Sequence, residues 1–268
     1  MFGSFFGRKE IVELMVNHSI AKQLYSEKER TIIAKYGYLI FKLFGYPLAV
    51  VARQRAKIVI RLLKPKSGER ILDAGCGIGG YSFELAAKYG CLVVGIDIDN
   101  EDIKLATKMA KKARLSKVTF IEGDITNLPF PDNIFDKIII LDVIQSIPDD
   151  KKVLNELFRI IKKGGNLIIT TSHVDKMEEY SSQQLKDYSG KQLQISGGRV
   201  RNGYSFHYLS KLLNDVGFNV VEHRYYVKKF TKEVGGILFF TMYPYPISML
   251  DYFIKGTGKG IAIKAKKI

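Results

Sequence analysis

From residue 70 the chain alternates short apolar runs with amphipathic stretches, and this rhythm narrows its fold more than any other feature. ERILDA, CLVVGID, KVTFIEGD, DKIIILD and GNLIITT read as strands. Continuous runs such as IIIL and LVVGI suit strands buried on both faces, the pattern of a parallel sheet covered by helices. GGYSFELAAKYG, NEDIKLATKMAKKAR and DDKKVLNELFRIIKKGG read as the intervening helices. Further on, SFHYLSKLLNDVGF is a helix closed by Gly217, and NVVEHRYYV and KGIAIKAKKI add two strands. The expected fold is doubly wound α/β: a seven-stranded, mostly parallel sheet with helices on both faces.

Breaks in the rhythm set the expected organisation. Residues 1–66 form an N-terminal helical extension and 67–171 the core. Residues 172–203, polar and strand-poor with Gln183, Gln184, Lys186 and the pair Gly197–Gly198, form a cap insertion. Residues 204–268 return to the sheet but carry an apolar insertion at about 228–258. Two cysteines, Cys76 and Cys91, make neither a disulfide framework nor a metal cluster, so a reduced, cytoplasmic chain is expected. The start reaches Arg8, Lys9 and Glu10 before any apolar core develops, unlike a secretory signal.

The formal charge of +15 is unevenly placed. Residues 1–70 hold 14 basic and 5 acidic side chains, 71–171 hold 13 and 14, and 172–268 hold 15 and 8. A neutral centre between basic flanks suits contact with anionic lipid headgroups, nucleic acid or phosphorylated substrates.

The segment Ile71-Leu72-Asp73-Ala74-Gly75-Cys76-Gly77-Ile78-Gly79-Gly80 joins the first strand to its helix. Glycines there let the backbone turn sharply and approach a ligand. Gly75, Gly77 and Gly80 also satisfy the spacing of a dinucleotide fingerprint, and Asp97, ending the next strand, suits a ribose diol in either case. Three features favour S-adenosylmethionine. Asp73, just ahead of the glycines, would repel a pyrophosphate but tolerate a zwitterionic, cationic tail. Asp124, ending the third strand, is placed to accept a hydrogen bond from an adenine amine. The loop also lies about 70 residues into the chain.

Residues 70–171 resemble the class I S-adenosylmethionine-dependent methyltransferases, whose pattern ILDxGCGxG, GIDxxxxxI, GDxxxLPFPDNxFD and a helix ending KKGG they follow in order. The resemblance implies that Asp73, Gly75, Gly77 and Gly79 hold the methionine moiety. It assigns Asp97 to the ribose hydroxyls, Ile98 and Ile125 to the faces of the adenine, and Asp124 to its amine. Asp142 would line the far side of the pocket. Where many relatives carry a Glu-His pair, this chain has Gln145 and Ser146, which puts an acid/base role for that loop in doubt.

The sulfonium already activates the methyl group, so the protein chiefly aligns it and excludes water, with a base needed only for a hydroxyl or protonated amine. His173, after the fifth strand, is the candidate base; Tyr204 and His207 are candidates for the substrate pocket. The segment TIIAKYGYLIFKLFGYPLAVV is interrupted by Lys35, Lys42 and Pro47. The uncharged run 234–250 is interrupted by Pro244 and Pro246. Neither reads as a membrane span; both suit amphipathic or lid elements. The expected partner is a small-molecule acceptor, a lipid, isoprenoid or lipid-linked compound at the membrane face. A soluble metabolite or sugar is the alternative. An RNA acceptor suits the charge, but the chain lacks an RNA-binding module and an Asn/Asp-Pro-Pro-Tyr motif.

Overall fold

A computed structural model describes residues 50–176, 200–226 and 260–268. Helix α1 (Val50–Leu63) leads into β1 (Arg70–Ala74), α2 (Gly80–Tyr89), β2 (Leu92–Asp97), α3 (Asn100–Lys112), β3 (Val118–Glu122) and β4 (Phe135–Leu141). A 3-10 turn at Ile144–Ser146 is followed by α4 (Asp150–Ile160), β5 (Ile161–Ser172), α5 (Phe206–Val216), β6 (Phe218–Tyr226) and β7 (Gly260–Lys267). Residues 1–49, most of the expected cap at 172–203 and all of the apolar insertion at about 228–258 lie outside the described residues.

The strands form one seven-stranded sheet in the order β3-β2-β1-β4-β5-β7-β6. Neighbours from β3 to β5 pair in parallel, while β7 runs antiparallel to both β5 and β6. Chain order reverses direction across the sheet between β1 and β4, the place where such folds open a crevice beyond the strand carboxyl ends.

Each sheet face is closed by its own core. Ala56, Val59 and Leu62 of α1, Phe83 of α2 and Met109 of α3 pack with Ile71, Val93 and Ile139 on one face. Val153 and Leu157 of α4 and Leu209 and Leu213 of α5 pack with Leu72, Ile138 and Ile169 on the other. Burying one such side chain contributes roughly 1.5–3 kcal/mol, so adjacent strand residues are apolar on both faces. Side-chain caps start the helices: Asp99 accepts from the amides of Glu101 and Asp102, Asp149 from Lys152, and Ser205 from Tyr208.

One boundary differs from the expectation. The fourth helix stops at Ile160 rather than running to KKGG, because Ile161 already pairs with Phe135 of β4. The residues between Ile161 and Asn166 turn through Gly164 (φ 79°) before the ladder resumes at Lys137–Asn166. Burial of both Ile160 and Ile161 outweighs the helical preference of the lysines that follow.

Candidate functional site

Four strand ends converge on a cavity of about 380 Å³ at the crevice between β1 and β4. Its wall comprises Gly75 after β1, Asp97 and Ile98 at the end of β2, Gly123–Thr126 after β3, and Asp142, Val143 and Ser146–Pro148 after β4. The loop after β1 is tethered by the amides of Gly75 and Cys76, which both donate to Ile96 O at 2.8 and 3.0 Å. Gly75 adopts φ +76°, and a Cβ there would lie 2.4 Å from Val143 Cγ2. Only glycine lets the β1 and β4 loops approach this closely.

Three carboxylates line the wall, and the described lining contains no lysine, arginine or histidine. Asp97 accepts from the amides of Gly77 (2.7 Å) and Asp99 (3.0 Å), which orients it and ties the glycine loop to β2. Asp124 accepts from the amide and hydroxyl of Thr126, both at 2.8 Å. Asp142 sits in the left-handed region at φ 59° and is gripped from three elements. Arg55 of α1 pairs with its Oδ2, while Thr170 of β5 (3.1 Å) and Tyr226 of β6 (3.4 Å) donate to its Oδ1. Ile98, 57% exposed, and Ile125 add apolar surface to the same wall. Such a cavity favours a neutral or cationic ligand bearing hydroxyls and amines and disfavours a pyrophosphate. A nucleoside carrying a sulfonium and an ammonium fits this set of acceptors.

Six of the expected cofactor residues therefore share one wall: Gly75, Asp97, Ile98, Asp124, Ile125 and Asp142. Gly77 and Gly79 lie in the adjoining loop, with Gly77 reaching the wall through its bond to Asp97. Asp73 does not face the cavity. It is 3% exposed and accepts from Ser82 of α2 at 2.6 Å, fixing the helix behind the loop.

Burial, reinforced by the nearby Asp97 charge and opposed by the Ser82 hydrogen bond, raises the Asp73 carboxyl from 3.8 to about 6. Between pH 4 and 6 the folded chain thus holds a proton that the unfolded chain has released, so stability falls as pH rises through this window. The loss approaches about 3 kcal/mol at neutral pH. Asp73→Asn keeps an acceptor for Ser82 and is expected to flatten and raise the stability–pH curve. Denaturant unfolding at several pH values checks this, and an unchanged slope between pH 4 and 6 would refute it.

The expected acceptor-side residues are arranged differently. Tyr204 is fully buried, its hydroxyl joined to Arg201 (2.7 Å) and to Asp150 (2.9 Å), so its place is in the core rather than at a substrate pocket. His207 is exposed on α5, turned away from the buried Leu209 and Leu213. His173 follows β5, bridges to Tyr204 through its backbone, and sets its ring edge-on to Tyr225 at 4.8 Å. It lies at the cavity's edge of the sheet but not in the cavity wall. Gln145 is buried, donating to Asp142 O (2.9 Å) and accepting from Thr171 (2.7 Å), which leaves it a brace for the loop.

Sequence reasoning missed Arg55, Tyr81, Thr170 and Tyr226 around Asp142, and the wall residues Ile147 and Pro148. None carries a local motif; the wall residue Thr126 was missed as well, although its place after Asp124 in GDITN could have pointed to it.

A solved structure of phosphoethanolamine N-methyltransferase 2 from Haemonchus contortus, in complex with S-adenosyl-L-methionine, superposes with a TM-score of 0.59. At 24% identity, over 80% of this chain and 52% of that one, it shows the shared fold. Ajmaline N-methyltransferase of Rauvolfia serpentina is 36% identical over 137 residues, 51% of this chain and 47% of that protein. A sterol 24-C-methyltransferase of Gibberella zeae is 30% identical over 159 residues, 59% of this chain and 41% of that protein. The chain thus spans less than half the length of these two relatives. The model of the methyltransferase-domain family matches residues 65–217, which contain the glycine loop and all four converging strand ends, and the chain belongs to that family.

Proposed function

We propose that the chain is an enzyme that transfers a methyl group from S-adenosylmethionine to a small-molecule acceptor. The acceptor class we propose is a lipid, isoprenoid or lipid-linked compound met at the cytoplasmic membrane face. The observation that carries the donor assignment is the cavity wall with Asp97, Asp124 and Asp142 on successive strand ends and no basic lining among the described residues. In this reading Asp97 holds the ribose hydroxyls, Ile98 and Ile125 flank the adenine, and Asp124 accepts from its amine. Gly75, Gly77 and Gly79 hold the methionine tail, and Asp73 positions their loop through Ser82. When bound, the donor supplies an electrophilic methyl group on a cationic sulfur. The chain aligns the acceptor and excludes water. His173, steadied by the ring of Tyr225, takes the proton if the acceptor is a hydroxyl or a protonated amine.

The acceptor class rests on the segments flanking the core. Both flanks are basic, and residues 234–250 are uncharged and rich in Phe, Tyr and Met. Lysines and arginines near an anionic bilayer contribute about 1 kcal/mol each, and apolar side chains such as Phe239 and Phe240 can insert beside them. Similarity to a sterol methyltransferase agrees with an isoprenoid acceptor. No helix among the described residues is long and apolar enough to cross a membrane.

The test combines labelled S-adenosylmethionine, cell extract and separation into lipid and aqueous fractions. Label is expected in the lipid fraction. The protein is also expected to cosediment with anionic vesicles at low salt, to be released at high salt, and to bind weakly after Phe239→Ser with Phe240→Ser. Label confined to a small aqueous product, with no vesicle binding, would replace the lipid acceptor by a soluble metabolite.

A further inference from the structure

Resting on the reading of the cavity as a donor site, we infer that Arg55 and Asp142 form a paired receptor for the amino-acid end of the donor. Arg55 takes its carboxylate and Asp142 its ammonium. The donor's tail is a zwitterion, yet every charged side chain in the described cavity wall is an aspartate. A carboxylate placed among them would be repelled unless a cation stood nearby. Arg55 stands there, joined directly to the wall residue Asp142.

Both partners are held by neighbouring side chains and remain partly exposed. The Arg55 guanidinium donates through Nε to Tyr81 Oη at 3.2 Å and lies over that ring at 5.9 Å. Tyr81 directly follows the glycine loop, so the brace is part of the same turn that holds the tail. Asp142 keeps Oδ1 occupied by Thr170 and Tyr226 and offers Oδ2 to Arg55. The two side chains remain 23% and 30% exposed, so the pair is accessible to an entering group. Insertion of a zwitterion exchanges one ion pair for two, and no charge is left unmatched. A ligand with the ammonium but without the carboxylate gains no such exchange, because its ammonium competes with Arg55 for the same oxygen. The pair therefore selects for an intact amino-acid tail.

Arg55 lies outside residues 65–217, the part that matches the family model. Its helix is held against the sheet by Ala56, Val59 and Leu62, which are buried, so the guanidinium is presented by a fixed element. This makes α1 a contributor to the donor site rather than a leader to it.

The test measures binding by calorimetry for the wild type, Arg55→Gln and Arg55→Lys, using two probes. One is S-adenosylhomocysteine; the other is its decarboxylated counterpart, S-adenosyl-3-thiopropylamine. Loss of a charge-assisted pair is expected to weaken S-adenosylhomocysteine by about tenfold or more in Arg55→Gln. Arg55→Lys should recover part of this loss, and the decarboxylated probe should bind Arg55→Gln at least as well as the wild type. Thermal melting verifies that both variants fold. Equal losses for the two probes would overturn the inference, leaving Arg55 as a brace for Asp142. Unchanged S-adenosylhomocysteine binding in Arg55→Gln would overturn it while the donor reading stands. A wild type that binds neither probe overturns the donor reading and this inference together.

Discussion

Asp97→Ala is expected to raise the dissociation constant for S-adenosylhomocysteine about 10- to 150-fold, the equivalent of roughly 1.5–3 kcal/mol for a charge-assisted contact. Two effects act in the same direction. The carboxylate proposed to hold the ribose diol disappears, and the amide of Gly77 loses its 2.7 Å partner, which releases the glycine loop from β2. Asp97→Asn separates them, since one carbonyl oxygen can still accept from Gly77 while the charge is gone. It should fall between the wild type and the alanine variant. Calorimetry on variants with native circular dichroism decides this, and an unchanged dissociation constant for Asp97→Ala would remove the residue from the site.

Arg201→Met is expected to cost about 3–5 kcal/mol of folding stability, the range for breaking one side of a buried ion pair. Arg201 is 4% exposed. It pairs with Asp150 at 3.3 Å and donates to Tyr204 Oη (2.7 Å), Ile147 O (2.9 Å) and Pro148 O (3.0 Å). Methionine fills similar volume but satisfies none of these acceptors, and it leaves the Asp150 carboxylate buried with only Tyr204 to compensate it on this side. At roughly 2–4 °C per kcal/mol for a chain of this size, the melting temperature should fall by on the order of 10 °C. Lys104→Ala is the contrast. Its ion pair with Glu101 has side chains 68% and 64% exposed, and its loss should stay within about 0.5 kcal/mol. Because Ile147 and Pro148 belong to the cavity wall, Arg201→Met should also weaken S-adenosylhomocysteine binding. A melting temperature within about 2 °C of the wild type would show that the cluster is not the clamp its geometry describes.

Arg201 also explains a limit of reading from sequence. Apart from Tyr204, its partners lie 50 or more positions away, at Asp150, Ile147 and Pro148, and nothing in GGRVRNGY distinguishes this arginine from a solvated one. The same holds for Tyr204: by sequence it reads as a pocket residue, whereas its hydroxyl is buried against Asp150. His207 is a different case. It lies two positions before Leu209, about 200° around the helix from a buried residue, so its exposure followed from helical periodicity alone.

What the chain's sequence determined by itself is the part set by local spacing. Each strand is a short apolar run, each parallel strand must be followed by a crossover, and strands running the same way end on the same edge. Residues placed just after those runs, among them Gly75, Asp97, Asp124 and Asp142, therefore meet at one crevice whatever the details of packing. Only the tertiary structure decided what stands opposite them. Arg55 and Asp142 are 87 positions apart and meet because α1 packs across the sheet near β5 and β6, while Tyr226 arrives from β6. The end of α4 at Ile160 likewise depends on Ile161 finding Phe135 across a strand pair. Local propensity carries no term for a partner that distant in sequence. Those contacts exist only once the layers have packed.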